Sequence, residues 1–156
     1  MSSAARQTAP DRPTDLQAPD LRALIPEIPF ASYLGLRIVE LREGRSLLEV
    51  DQQAHHHNSR AVAHGGLLST MIDVAMAIAA RSLDADPHHS TTRSVTVEMK
   101  VSFMRPGVGR LRAMGRCVHK TATLLFCEAD VLDDADRIVA RGSGTFKLLR
   151  KRSSAS

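Results

Sequence analysis

Along residues 64–83 apolar side chains run almost without a break. Leu67, Leu68, Met71, Ile72, Val74, Ala75, Met76, Ile78 and Ala79 cover nearly the full circumference of a helix. A helix that is apolar all round is buried. One charge, Asp73, interrupts it, and a buried carboxylate is costly unless something pairs with it or uses it. A second pattern follows. Val95, Val97, Met99, Val101 and Phe103 alternate with Thr96, Glu98, Lys100 and Ser102, the period of two of a strand with one inward and one outward face.

Weaker patterns complete the element list. A short helical turn is expected within 20–34, anchored by Leu21, Leu24, Ile25, Phe30, Tyr33 and Leu34, broken up by Pro26 and Pro29 and ended by Gly35. Residues 36–41 and 46–51 read as strands around a Glu43-Gly44 turn. A polar loop fills 52–63, and 84–89, with Pro87, ends the long helix. After Arg105-Pro106-Gly107, strands are predicted over 110–119, 124–133 and 138–149, with turns near Lys120-Thr121 and over 133–136. The order is helix, two strands, long helix, four strands. This is an α+β domain in which a mostly antiparallel sheet wraps one helix. Residues 1–19, rich in Ser, Ala, Pro, Asp and Thr, read as a disordered leader, 20–149 as the domain and 150–156 as a basic tail.

Composition narrows the functions open to such a domain. The 156-residue chain is 43% hydrophobic, enough for a single core. Aromatics make up only 3% and Trp is absent, which argues against stacking platforms for single-stranded nucleic acid. The net charge is +4. Much of the excess lies in Lys147 and Arg150-Lys151-Arg152, a pattern without the basic helix or zinc-finger spacing of a DNA reader. Cys117 and Cys127 lack metal or redox spacing and read as small buried hydrophobes in a reducing compartment, the cytoplasm. No membrane span and no apolar signal segment are expected.

The candidate chemistry sits at the start of the long helix. Gly65 and Gly66 follow His64 and offer unobstructed backbone N–H groups, where the helix dipole favours developing negative charge. Asn58, in the preceding loop, is a candidate further member. Gly66 and Asp73 are seven residues apart, on one side of the helix but roughly 10 Å apart along its axis. A carbonyl under attack needs its oxyanion donor and its attacking group both within about 3–3.5 Å. One chain does not readily supply both. The spacing therefore predicts a site shared across a two-fold dimer, with Gly65 of one chain facing Asp73 of the other. His55-His56-His57 has the look of a metal cluster, but consecutive histidines point apart and no acidic or Cys partner has ligand spacing nearby. It reads as loop, as does His88-His89.

The combination Asn58, His64-Gly65-Gly66 and Asp73, followed by VTVEMKVSFMRP over 95–106, resembles the hotdog-fold acyl-CoA thioesterases, and within them the phenylacetate-degradation (PaaI-like) branch. The segments GRCVHKTATL over 115–124 and IVARGSGTF over 138–146 are similar to that family's last strands. The likeness spans about residues 30–148. It implies a hotdog fold, a homodimer or homotetramer, and hydrolysis of an acyl- or arylacyl-CoA to free acid and CoA, with no metal or other cofactor. Asp73 would be nucleophile or general base, and the Gly65 N–H would hold the thioester oxygen. His64 and Asn58 would position the thioester or the water. Gly66, read from the residues themselves, has no side chain to block substrate from the helix start. Thr96 matches a position where a hydroxyl orients the water; its other reading is a strand hydroxyl facing solvent. Arg105 is a candidate contact for a CoA phosphate, or else a solvated loop side chain. The HHH at 55–57 and Ser59-Arg60 depart from the family's usual loop, which bears on substrate preference. Two rivals stay open: a non-catalytic acyl-CoA binding or sensing module, and a hotdog dehydratase, whose His/Asp or His/Glu arrangement is not found here.

Overall fold

The computed structural model describes residues 28–83 and 93–149. The expected leader, the anchors Leu21, Leu24 and Ile25, Pro26, the 84–89 loop with His88-His89, and the tail from 150 lie outside the described residues. The elements are α1 (Pro29–Tyr33), β1 (Arg37–Arg42), β2 (Arg45–Asp51), a 3-10 turn (Ala54–His56), α2 (Gly65–Arg81), β3 (Arg93–Phe103), β4 (Arg110–Lys120), β5 (Leu124–Leu132) and β6 (Ile138–Leu149). These strands form one antiparallel sheet in the order β1-β2-β4-β5-β6-β3. The sheet curves around α2, the arrangement of the hotdog fold.

The core is a cluster built from α2 and the inward residues of the strands, among them Leu48, Val50, Leu111, Ala113, Leu125, Val131, Val139 and Phe146. The close fit depends on residues without bulk on the sheet. A Cβ added at Gly115 would lie 2.3 Å from the Ala75 carbonyl oxygen of α2. At Gly142 it would lie 2.5 Å from Ile72 Cγ2. Ser46 Oγ donates to the same Ala75 carbonyl at 2.7 Å, so a buried β2 hydroxyl holds the helix where Gly115 lets it approach. The far end of α2 is seated by Ser82 Oγ, which donates to the Ala79 carbonyl and accepts from the Gly44 N–H, both at 2.8 Å. Glu43 and Gly44 both have positive φ, 47° and 76°, so the β1–β2 turn is the tight kind that Gly favours.

The helix is not enclosed on every side. Gly66, Ser69, Thr70, Asp73 and Ala77, spaced at i, i+3/i+4, form a stripe that stays outside the buried set. Asp73 is half-buried on this stripe and is not sealed in the core, which corrects the expectation of a buried carboxylate.

Three further expectations are corrected. Pro29 does not break α1; it stands in its first turn, where its missing N–H costs nothing. Phe30 and Tyr33 are not anchors: they are 61% and 79% exposed, and Ala31 and Leu36 are buried instead. A single short helix packed against α2 has only one face to bury. The third correction concerns β3. Its pairing with β6 slips between Thr96 and Glu98, so the alternation does not hold through the strand. Met99, Val101 and Phe103 stand opposite Gly144, Gly142 and Ala140 of β6, whose positions are buried. Thr96 stands opposite the fully buried Phe146 and so faces the helix as well. Val95 and Val97 are left 45% and 58% exposed. A β-bulge of this kind re-aims side chains at a sheet edge.

Candidate active site

The bulge brings Thr96 to Asp73. Thr96 Oγ1 donates to Asp73 Oδ1 at 2.7 Å, between the middle of α2 and the edge strand β3. Of the sequence-derived candidates, these two are joined by a direct side-chain bond.

The helix start forms a second cluster. His64 is the N-cap residue, with extended backbone (φ −64°, ψ 140°). Its Nδ1 accepts the Gly66 N–H at 2.8 Å, and its carbonyl accepts the Leu68 N–H. His64 thus consumes the Gly66 donor as an ordinary cap would. Gly65, at the first helical position, has an N–H with no intrahelical partner. A Cβ added at Gly65 would meet the ring of Phe103 at 3.4 Å, and one at Gly66 would press on His64 Nδ1 at 3.0 Å. The two glycines therefore have distinct jobs. Gly65 borders Phe103, a half-exposed aromatic at the end of β3, and Gly66 makes room for the cap. Phe103 is a lining residue that the sequence reading did not single out. Its place at the end of an apolar alternation, just before the Arg-Pro break, was the available signal.

Asn58 shapes the loop that delivers His64. Its Oδ1 accepts the Arg60 N–H at 2.8 Å, its N–H goes to the Val62 carbonyl, and Ala61 takes a positive φ of 56°. The Asn58 side chain thus acts on its own turn rather than on Asp73. His56 is buried. Its Nδ1 accepts the Gln53 N–H at 3.0 Å, and its carbonyl receives the His64 N–H at 2.8 Å, so it ties the loop to the helix start. Burial holds its pKa below the usual 6.5; His55 pushes the same way, the Leu34 backbone partly offsets this, and His57 adds to the lowering. His55 and His57 are exposed. Among the described residues no group of three or more His, Cys, Asp or Glu is arranged to hold a metal ion. Arg105 lies just past β3, and its Nη1 donates to the Ile138 carbonyl at 2.7 Å.

Within one chain, Asp73 and Gly65 stand eight residues apart on one helix, about 12 Å along its axis. A carboxylate bonded to a hydroxyl suits activating water, and a capped helix start whose first N–H has no intrahelical partner suits holding an oxyanion.

The family model of the thioesterase superfamily matches residues 60–140, and the chain belongs to that superfamily. It is a thioester hydrolase. The conserved protein PA5202 of Pseudomonas aeruginosa has a similar structure: 34% identity, TM-score 0.70, covering 77% of this chain and 93% of that one. A point mutant of the phenylacetic acid degradation protein PaaI from Thermus thermophilus is 26% identical, with TM-score 0.68 and coverage of 78% and 99%. The PaaI protein from the phenylacetic acid degradation operon of Escherichia coli shares the fold at 22% identity, TM-score 0.73 and coverage of 81% and 88%. Among the described residues no helix is long and apolar enough to cross a membrane.

Proposed function

We propose that the chain hydrolyses an acyl- or arylacyl-CoA thioester, with Asp73 as general base and the Gly65 N–H as oxyanion donor. The observation that carries this reading is the 2.7 Å bond from Thr96 Oγ1 to Asp73 Oδ1. A hydroxyl that donates to one carboxylate oxygen keeps lone pairs to accept from a water. A water between Thr96 Oγ1 and Asp73 Oδ2 would therefore be oriented by one and deprotonated by the other. Its oxygen adds to the thioester carbon, and the carbonyl oxygen becomes an oxyanion facing a helix N-terminus. Collapse breaks the C–S bond, and the proton on Asp73 passes to the departing sulfur. His64 keeps Gly65 and Gly66 in register at the helix start, Asn58 holds the loop before it, and Phe103 lines the acyl side. Arg105 has guanidinium N–H groups beyond the one bonded to Ile138 with which to meet a CoA phosphate.

The donor and the base act on one substrate only if they come from two chains. Two features support a dimer through this region. β3 is an edge strand, with Val95 and Val97 exposed and its outer backbone groups open for pairing. The stripe of Gly66, Ser69, Thr70, Asp73 and Ala77 lies on the uncovered side of α2. A second copy paired β3 to β3 in antiparallel fashion, across a two-fold axis perpendicular to the sheet, would cover both and bring Gly65 of the partner subunit toward Asp73.

The test is free-thiol release from a panel of short, long and aromatic acyl-CoAs by the wild type and by Asp73→Asn. Loss of a general base predicts a fall in kcat of ~10²–10⁴-fold with the fold intact. Unchanged turnover in the variant would remove Asp73 from the mechanism. Tight acyl-CoA binding without thiol release by the wild type would favour a binding module instead.

A further inference from the structure

Cys117 and Cys127 are direct register partners across β4 and β5. Both are free thiols; Cys127 is buried and Cys117 half-buried. The kind of register pair they form can be read from the backbone. The Cys117 N–H is bonded to the Gly44 carbonyl at 2.7 Å, in the β1–β2 turn. That turn flanks β4 on the side away from β5. In an antiparallel strand a residue's N–H and C=O point to the same side, so Cys117 and Cys127 exchange no backbone hydrogen bonds. Such pairs have their Cα atoms about 4.5 Å apart and their side chains close together. This is within the reach of a disulfide, whose Cα atoms lie roughly 4.4–6.8 Å apart.

The geometry points to a cross-strand dithiol that closes to an intramolecular disulfide when it meets a low-molecular-weight disulfide. The neighbourhood suits this. Immediately beyond Cys117 the β4–β5 register slips, up to His119, so the strand is locally irregular where the bond forms. Cys117 Sγ reaches the His119 carbonyl at 3.5 Å, and Cys117 is the less buried of the two cysteines. Burial, together with the Cys117 sulfur beside it, pushes the Cys127 thiol up to about 12, which makes Cys117 the first to react.

The steps balance without another reagent. The Cys117 thiolate attacks one sulfur of the small disulfide RSSR and expels RS⁻, leaving a mixed disulfide on Cys117. Cys127 then attacks the Cys117 sulfur, gives up its proton and expels the second RS⁻. The sum is two protein thiols plus RSSR giving one protein disulfide plus two RSH. Two electrons leave the protein and reduce the small disulfide. The new bond staples β4 to β5 beside the Gly44 turn, on which Ser82 seats the end of α2.

The test uses the folded full chain, excess oxidised glutathione, alkylation of remaining thiols and intact mass. The wild type is expected to lose two hydrogen masses, with no alkylation and no retained glutathione. A reductant should reverse this, and the oxidised form should melt about 5 °C or more higher. Cys127→Ser should stop at one glutathione on Cys117, and Cys117→Ser should remain a free thiol at Cys127. A wild type that retains a glutathione adduct, forms a disulfide between chains, or keeps both thiols free while the urea-unfolded chain oxidises would overturn the proposal.

Discussion

Thr96 Oγ1 donates to Asp73 Oδ1 at 2.7 Å, and a β-bulge makes that contact possible. Without the slip between Thr96 and Glu98, the parity set by Met99, Val101 and Phe103 would turn Thr96 outward. One inserted residue exchanges the two faces. The edge strand gives up the inward packing of Val95 and Val97 and gains a hydroxyl on the carboxylate.

Thr96 should therefore matter to turnover more than to folding. Thr96→Val removes the hydrogen bond to a charged group while keeping the shape. The expected result is a kcat roughly 10- to 100-fold lower with KM little changed. Thr96→Ser restores the hydroxyl and should recover most of the rate. An active Val variant beside an impaired Ser variant would mean that the methyl, not the hydroxyl, is what counts.

Gly65→Pro isolates the proposed oxyanion donor. Proline is tolerated at the first helical position, and it deletes one N–H. His64 already has the extended backbone that proline requires of its predecessor. The account expects kcat to fall ~10²–10³-fold with an unchanged circular dichroism spectrum and melting temperature. A fully active proline variant would move the oxyanion site elsewhere.

The contact between helix and sheet at Gly115 predicts a stability effect separate from chemistry. Alanine there would place a Cβ 2.3 Å from the Ala75 carbonyl and 2.6 Å from Ser46 Oγ. Neither neighbour yields easily, because one is helix backbone and the other is bonded to it. Gly115→Ala should cost about 2 kcal/mol or more in urea unfolding.

His56 makes a prediction about pH. Its folded pKa lies below the usual 6.5 because burial disfavours the cation. Between those two values the unfolded chain binds more protons than the folded one. Stability is thus full above 6.5 and falls as the pH drops through the window below it. At lower pH a second loss follows. Arg137 and backbone N–H groups hold Asp133 below its usual 3.8, and that contribution disappears as Asp133 is protonated. Urea melts of wild type and His56→Gln should converge as the pH falls from about 7 toward about 5; parallel curves would take His56 out of the slope.

Periodicity and punctuation carried most of the architecture. The apolar run announced α2, Gly35 and Glu43-Gly44 marked turns that do take positive φ, and the alternation over 95–103 is a strand. What stayed hidden depends on tertiary pairing. The bulge at Thr96 leaves no mark in a sequence whose alternation looks unbroken. The exposure of Phe30 and Tyr33 follows from how α1 packs on α2, which composition does not encode. The partnership of Cys117 with Cys127 depends on hairpin register, and a bulge shifts that register too. The candidate site was legible only as residue types. His64-Gly65-Gly66 and Asp73 stand out by type and spacing, but that the His64 side chain takes the Gly66 N–H and not that of Gly65 is visible only in the cap geometry.

The central claim is that donor and base come from different chains. Mixing purified Asp73→Asn with Gly65→Pro, each nearly inactive alone, tests it directly once mass spectrometry shows that subunits have exchanged. Random exchange makes half the dimers mixed, and each mixed dimer holds one site with both groups intact. The account predicts recovery to about a quarter of wild-type acyl-CoA turnover. If the exchanged mixture stays as inactive as its parents, each site is built within a single chain and the shared arrangement is wrong.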